Sequence, residues 1–339
     1  MTIKKPQTTT LIDTFSEGYA AINRRPWLVL VPILLNLYLW FGAHLSFGPL
    51  IADLHVAMRR LEGGTAEESE LRAQYTDQLL ALGQVDMRQQ IAVLNFIPTL
   101  TTNVVASVDS GDGSQGFPMI QSVPQLIDTQ RTDTIQVSSV PGALLAFLLL
   151  NMLVLPLSAA FLTQVAAAVR SDRAAPATWL RRAWRATLAI LGYVGVLVGV
   201  ALALGLPFLF LTVLLIYFSP TLGLLMFSLL LIIWFWIKIY VGFAPEAIVV
   251  SGVGPLRALH ASFNIVRRNL WSTLGFLALS YIIAVGTGLL WMSLASSSTI
   301  GVIVAIVGSA YLGSGLLAAR MAFYRERLRR WQNAIVSGS

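Results

Sequence analysis

"ATLAILGYVGVLVGVALALGLPFLFLTVLLIYFSPTLGLLMFSLLLIIWFWI", residues 186–237, contains no Asp, Glu, Lys, Arg or His. A helix crossing a hydrocarbon core about 30 Å thick needs roughly 20 apolar residues. The stretch is long enough for two crossings. Trp271–Ala319 is equally free of charge and holds two more. Over the whole chain of 339 residues, 56% are hydrophobic and 12% charged, half the roughly 25% charge of a soluble domain. The solvent this sequence is written for is a membrane.

Working outward from those runs, apolar segments of spanning length fall at 27–48, 143–168, 186–208, 221–243, 271–294 and 299–319. They predict an all-α integral membrane protein with six transmembrane helices. An amphipathic lead, 1–26, precedes the first and reads as retained, with no signal-peptide exit behind it. A polar insert, 52–140, follows the first span and carries 11 of the 16 acidic residues but only 5 of the 23 basic ones. The charged connections elsewhere, including the tail 320–339, are predominantly basic. The positive-inside bias therefore predicts both termini in the cytoplasm and the insert outside, a multi-pass topology in a bacterial plasma membrane. Splitting the chain at Pro207 into a seventh span would put the Arg257–Arg268 cluster outside, so six is preferred.

Three places share one order of residues. "AINRRPWLVL" (21–30), "TWLRRAWRATLAIL" (178–191) and "IVRRNLWSTL" (265–274) each run from an amphipathic helix through an arginine pair to tryptophan and an outgoing span. The amphipathic stretches are 1–26, 174–185 and 255–269. The expected body is three pseudo-repeated units, each a cytoplasmic interfacial helix followed by a two-helix hairpin. Arg24, Arg25 and Trp27, then Arg181, Arg182 and Trp184, then Arg267, Arg268 and Trp271 are the expected membrane-interface anchors. Arginine meets lipid phosphate there and tryptophan marks the interfacial depth. Lys238, the one charge inside a span, lies close enough to its cytoplasmic end to snorkel.

"FAPEAIVVSGVGPLRALHASFNIVRRNLWSTLGFL", 243–277, resembles the polytopic membrane domain attached to some glycerophosphodiester phosphodiesterases, and bacterial YciC-type membrane families. The resemblance covers about residues 143–320, and 11–48 more weakly. It implies a helical membrane fold and brings no catalytic constellation with it. The chain has no room for the phosphodiesterase barrel.

In the insert, 63–83 predicts one capped helix, Thr65 with Glu68 forming the capping box, and "IAVLNFIPTL" (91–100) an apolar partner too short to span. Residues 108–117 read as a flexible loop; Asp109, Asp112 and Ser114 lack the remaining carboxylates of a calcium loop. Residues 133–140 predict a short strand or an extended approach to the second span.

Cysteine is absent, and His44, His55 and His260 form no close ligand pair. No catalytic, cofactor or metal residues are expected, nor nucleic acid as a partner: the net charge of +7 flanks apolar runs instead of lining a soluble face. The expected partners are membrane lipids, with anionic headgroups at the cytoplasmic face, and a protein docking on the insert 52–140. The expected role is a non-enzymatic scaffold, assembly or lipid-organising component. A transporter or permease-like subunit is the alternative, with Pro207 and Pro220 as places for broken spans. A lipid-headgroup enzyme comes third.

Overall fold

A computed structural model describes residues 10–60, 83, 85–101, 103–107, 118–122, 134–172 and 176–337. The fold is all-α, with four short strands among the described residues. Among the described residues, five helices are long and apolar enough to cross a membrane, and Pro26–Phe41 is a shorter apolar one. The chain divides into two compact units. One comprises Met1–Leu28, Pro156–Ala284 and Gly313–Ser339; the other comprises Val29–Leu155 and Val285–Leu312.

The first unit opens with α1 (Leu11–Asn23). Thr10 caps it and Asp13 returns the bond, a capping box; the Thr10 N–H and hydroxyl hold the Asp13 carboxyl below the usual carboxylate range. The unit continues with the C-terminal part of α5 (Val140–Arg170), then α6 (Pro176–Phe218), α7 (Pro220–Val241), α8 (Ala244–Ser251) and α9 (Pro255–Arg268). The opening part of α10 (Leu270–Ser297) and the distal part of α11 (Thr299–Ser337) complete it.

Two expectations change here. The apolar face of α1 packs on protein instead of lying on lipid. Phe15 stacks on Phe276 at 5.0 Å, and Phe276 on Phe323 at 4.6 Å. Gly18 admits α11 so closely that a Cβ would sit 2.4 Å from the Ala319 nitrogen. The expected hinge between 174–185 and 186–208 is also absent: α6 is one helix of 43 residues, about 64 Å long. The reason is local. Pro26 breaks the first unit's lead, because the residue before proline disfavours the helical region, and Asn269 ends α9. No Pro or Gly stands between Pro176 and Gly192 to stop the helix at that junction. Nor does Pro207 break α6, which runs through it; Pro220 starts α7 at a first-turn position. The tail 320–339 continues α11 as helix to Ser337.

The second unit holds α2 (Leu30–Phe41), entered through a 3-10 turn at Pro26–Val29. Turn and helix together reach about 26 Å, short of the span expected over 27–48. Gly42 ends the helix, and His44–Ser46 form β1 instead of continuing it. β1 pairs in parallel with β4 (Thr134–Gln136), and β2 (Asn103–Ser107) pairs antiparallel with β3 (Pro118–Ser122). α3 (Gly48–Arg60) leads into the insert, and α4 (Arg88–Ile91) lies within it. The helix expected over 63–83, save Gly83, and the loop 108–117 lie outside the described residues.

"IAVLNFIPTL" becomes an irregular strap between two helices, α2 and α5. Asn36 of α2 donates to the Pro98 carbonyl at 3.2 Å and accepts the Leu100 N–H at 2.6 Å. Asn151 of α5 accepts the Leu94 N–H at 3.0 Å and donates to the Ile91 carbonyl at 2.7 Å. Non-helical backbone buried against apolar helices needs its polar groups satisfied by protein, and Asn36 and Asn151 do that. Leu100 then joins Leu39, Trp40, Ala295, Val302, Ala305 and Ile306 in a buried cluster.

Candidate functional site

Helix C-termini leave carbonyls without partners and carry partial negative charge. In the first unit the ends of α5 and α8 are both covered by arginine. α5 closes in a Schellman motif: the Asp172 N–H reaches the Ala167 carbonyl and the Ser171 N–H that of Ala168, with Ser171 in the left-handed region at φ 60°. Arg24 donates to the Ala168 carbonyl at 3.4 Å, Arg25 to that of Asp172, and Arg325 to that of Val169. α8 ends at Gly252, φ 66°. Arg170 donates to the Val249 and Val250 carbonyls at 2.9 and 2.8 Å, and to the Asp172 carboxylate at 2.9 Å.

These two ends and the first turns of α6 enclose a cavity of about 730 Å³, lined in part by Arg25, Arg170, Arg182, Arg185 and Asp172. Four arginines against one aspartate leave a net charge of +3 on its wall. Trp27, Trp179 and Gln164 also line it, with Ala186, Ala189, Ile248 and Val249 as the apolar wall. The arginines divide by employment. Arg25 and Arg170 are occupied with carbonyls. Arg182 stands 3.8 Å from the Asp172 carboxylate, and Arg185 has no hydrogen bond or ion pair among the described residues. The indole Nε1 of Trp179 is buried without a partner. Guanidinium and indole nitrogens donate only, so the cavity suits a ligand of acceptor oxygens carrying negative charge.

Of the nine expected anchors, Arg25, Trp27 and Arg182 line this cavity. Arg24 sits at the α5 end. Arg181 and Trp184, on the same helix as Arg182, are exposed. Arg267 is exposed on α9, Arg268 lies 5.4 Å over the Trp331 ring, and Trp271 is 84% exposed. The three clusters therefore do not form one site. Arg170, Arg185 and Trp179, which line the cavity as well, are not among those nine. Lys238 is exposed, its ammonium 5.9 Å from the Trp234 ring.

A second charged centre lies elsewhere in the same unit. Arg320 of α11 donates from Nε to Glu246 Oε1 at 2.7 Å and from its terminal amine to the Gly242 carbonyl at 2.8 Å. Glu246 is 4% exposed. Ser262 of α9 spans the same break, donating to the Tyr240 carbonyl and accepting the Phe243 N–H.

No protein-family model, no curated protein and no solved structure matches the chain.

Proposed function

We propose that the chain is a six-span, lipid-organising scaffold of the plasma membrane, engaging anionic lipid at a basic cytoplasmic face. The observation that carries this reading is the net positive cavity among the ends of α5 and α8 and the start of α6. Basic pockets between membrane helices on the cytoplasmic side suit anionic headgroups. Pro26–Phe41 counts as the sixth crossing, its short reach completed by the strap 91–100. Six crossings return both termini to one side, which agrees with the basic residues flanking every inner connection.

The test is the lipid that travels with the protein. Phospholipid extracted from the chain purified in mild detergent is expected to be enriched in anionic species over the source membrane. Lipid of unchanged composition would overturn the reading. A transporter keeps one observation in its favour, the helix break at Gly242–Phe243 with Glu246 buried behind it. Coupled uptake of a solute into proteoliposomes, lost in Glu246→Gln, would favour that alternative.

A further inference from the structure

We propose that the cavity seats the phosphate of an anionic membrane lipid, held by Arg182, Arg185 and the indole N–H of Trp179. This rests on the lipid-organising reading and assigns it one site. Trp179, Arg182 and Arg185 recur every third position at the start of α6, a spacing that puts them on one helix face. All three line the same cavity. Arg25 and Arg170 line it too, but their donors close the ends of α5 and α8. The cavity thus has a structural half and an unemployed half.

The unemployed half has the character of a phosphate seat. An arginine pair presents forked donors that match phosphate oxygens. The buried indole N–H has given up water without gaining an acceptor, and a phosphate oxygen supplies one. Ala186, Ala189, Ile248 and Val249 give the cavity a wall suited to the glycerol and first methylenes of a lipid. Trp27, 48% exposed, lines the cavity as well, and tryptophan favours headgroup depth.

Asp172 is the resident competitor. Its carboxylate accepts Arg170 at 2.9 Å and stands 3.8 Å from Arg182. The second distance is at the limit of an ion pair, so Arg182 is held weakly and an arriving phosphate takes it over. Arg170 stays with Asp172 and the α8 carbonyls, which keeps the cavity's floor in place.

The test is a titration of the full chain in detergent, followed by native mass spectrometry, with phosphatidylglycerol, phosphatidylcholine or inorganic phosphate as probe. Wild type is expected to take up one saturable phosphatidylglycerol in preference to phosphatidylcholine. Arg182→Ala/Arg185→Ala weakens that uptake about tenfold or more, because two charge-assisted contacts are lost. Arg182→Lys/Arg185→Lys retains a substantial part of it. Arg257→Ala, exposed and outside the cavity, leaves it unchanged. Asp172→Asn tightens it, whereas a purely structural carboxylate would give loosening. If phosphatidylglycerol and phosphatidylcholine bind wild type equally, the lipid-organising reading fails with the site. If the preference holds but Arg182→Ala/Arg185→Ala preserves it, the site alone fails. Displacement of the lipid by millimolar inorganic phosphate would reassign the cavity to a soluble anion and overturn the lipid assignment. Should the alanine pair not fold, the lysine pair and Asp172→Asn decide: loss of uptake in the asparagine variant contradicts the competitor role.

Discussion

Arg320 closes on Glu246, Nε to Oε1 at 2.7 Å, across 74 positions of sequence. The same guanidinium covers the Gly242 carbonyl where α7 gives way to α8 and lies 5.3 Å from the Phe243 ring centroid. A break inside an apolar segment exposes polar backbone, and this arginine serves both the break and the carboxylate behind it. Removing one partner leaves the other buried and uncompensated. Arg320→Ala is therefore expected to destabilise the fold by about 3–5 kcal/mol. Pairing it with Glu246→Gln recovers part of that loss, because the orphaned charge is removed as well. Thermal unfolding in detergent measures both, and additive losses would show the two residues to be uncoupled.

Arg88 does a related job in the second unit. It is held in two-pronged contact with Asp86, Nε to Oδ1 at 3.0 Å and the terminal amine to Oδ2 at 2.8 Å. It donates onward to the Tyr38 and Leu39 carbonyls at 3.1 and 2.6 Å. α2 can stop short because the insert returns to cap it. Arg88→Ala uncaps those carbonyls and leaves Asp86 buried, with an expected cost of about 3 kcal/mol or more. Proteolysis should then open the strap 91–100 first. Cleavage there at the wild-type rate would contradict the capping role.

Ser171 pays the usual penalty of a side chain in the left-handed region. Ser171→Gly at φ 60° is expected to stabilise the chain by about 1 kcal/mol. The same change should leave phosphatidylglycerol uptake intact, since the Schellman bonds that place Asp172 are between backbone groups. A fall in melting temperature would show that the serine side chain makes a contribution larger than its strain.

The long helices were legible because absence of charge is a local property that needs no partner. α5, α7, α10 and the start of α11 fall close to the apolar runs over 143–168, 221–243, 271–294 and 299–319. The first span was overestimated: the run through Phe47 stays apolar after Gly42 has ended the helix, and strand pairing with Thr134–Gln136 is a long-range choice. Charge does not dictate a second hinge: a basic cluster marks depth and bends nothing, and α6 runs unbroken through it. "RRAWRATLAIL" contains no residue that stops a helix, a fact visible in the sequence. The cavity was half legible. Arg25, Trp27 and Arg182 stood out through repeated spacing, while Arg170, Asp172 and Trp179 matter only because the ends of α5 and α8 meet the start of α6. Likewise, nothing near Glu246 in the sequence points to Arg320.

The account depends on the basic cavity facing the cytoplasm while the insert faces out. The chain has no cysteine, so single cysteines report their side without background. Thr134→Cys, exposed on β4, and Arg257→Cys, exposed on α9, are to be labelled in intact cells with a membrane-impermeant maleimide. The prediction is that Thr134→Cys reacts in intact cells and Arg257→Cys only after permeabilisation. Labelling of both from the outside, or of neither, would contradict the topology and the lipid-facing cavity with it.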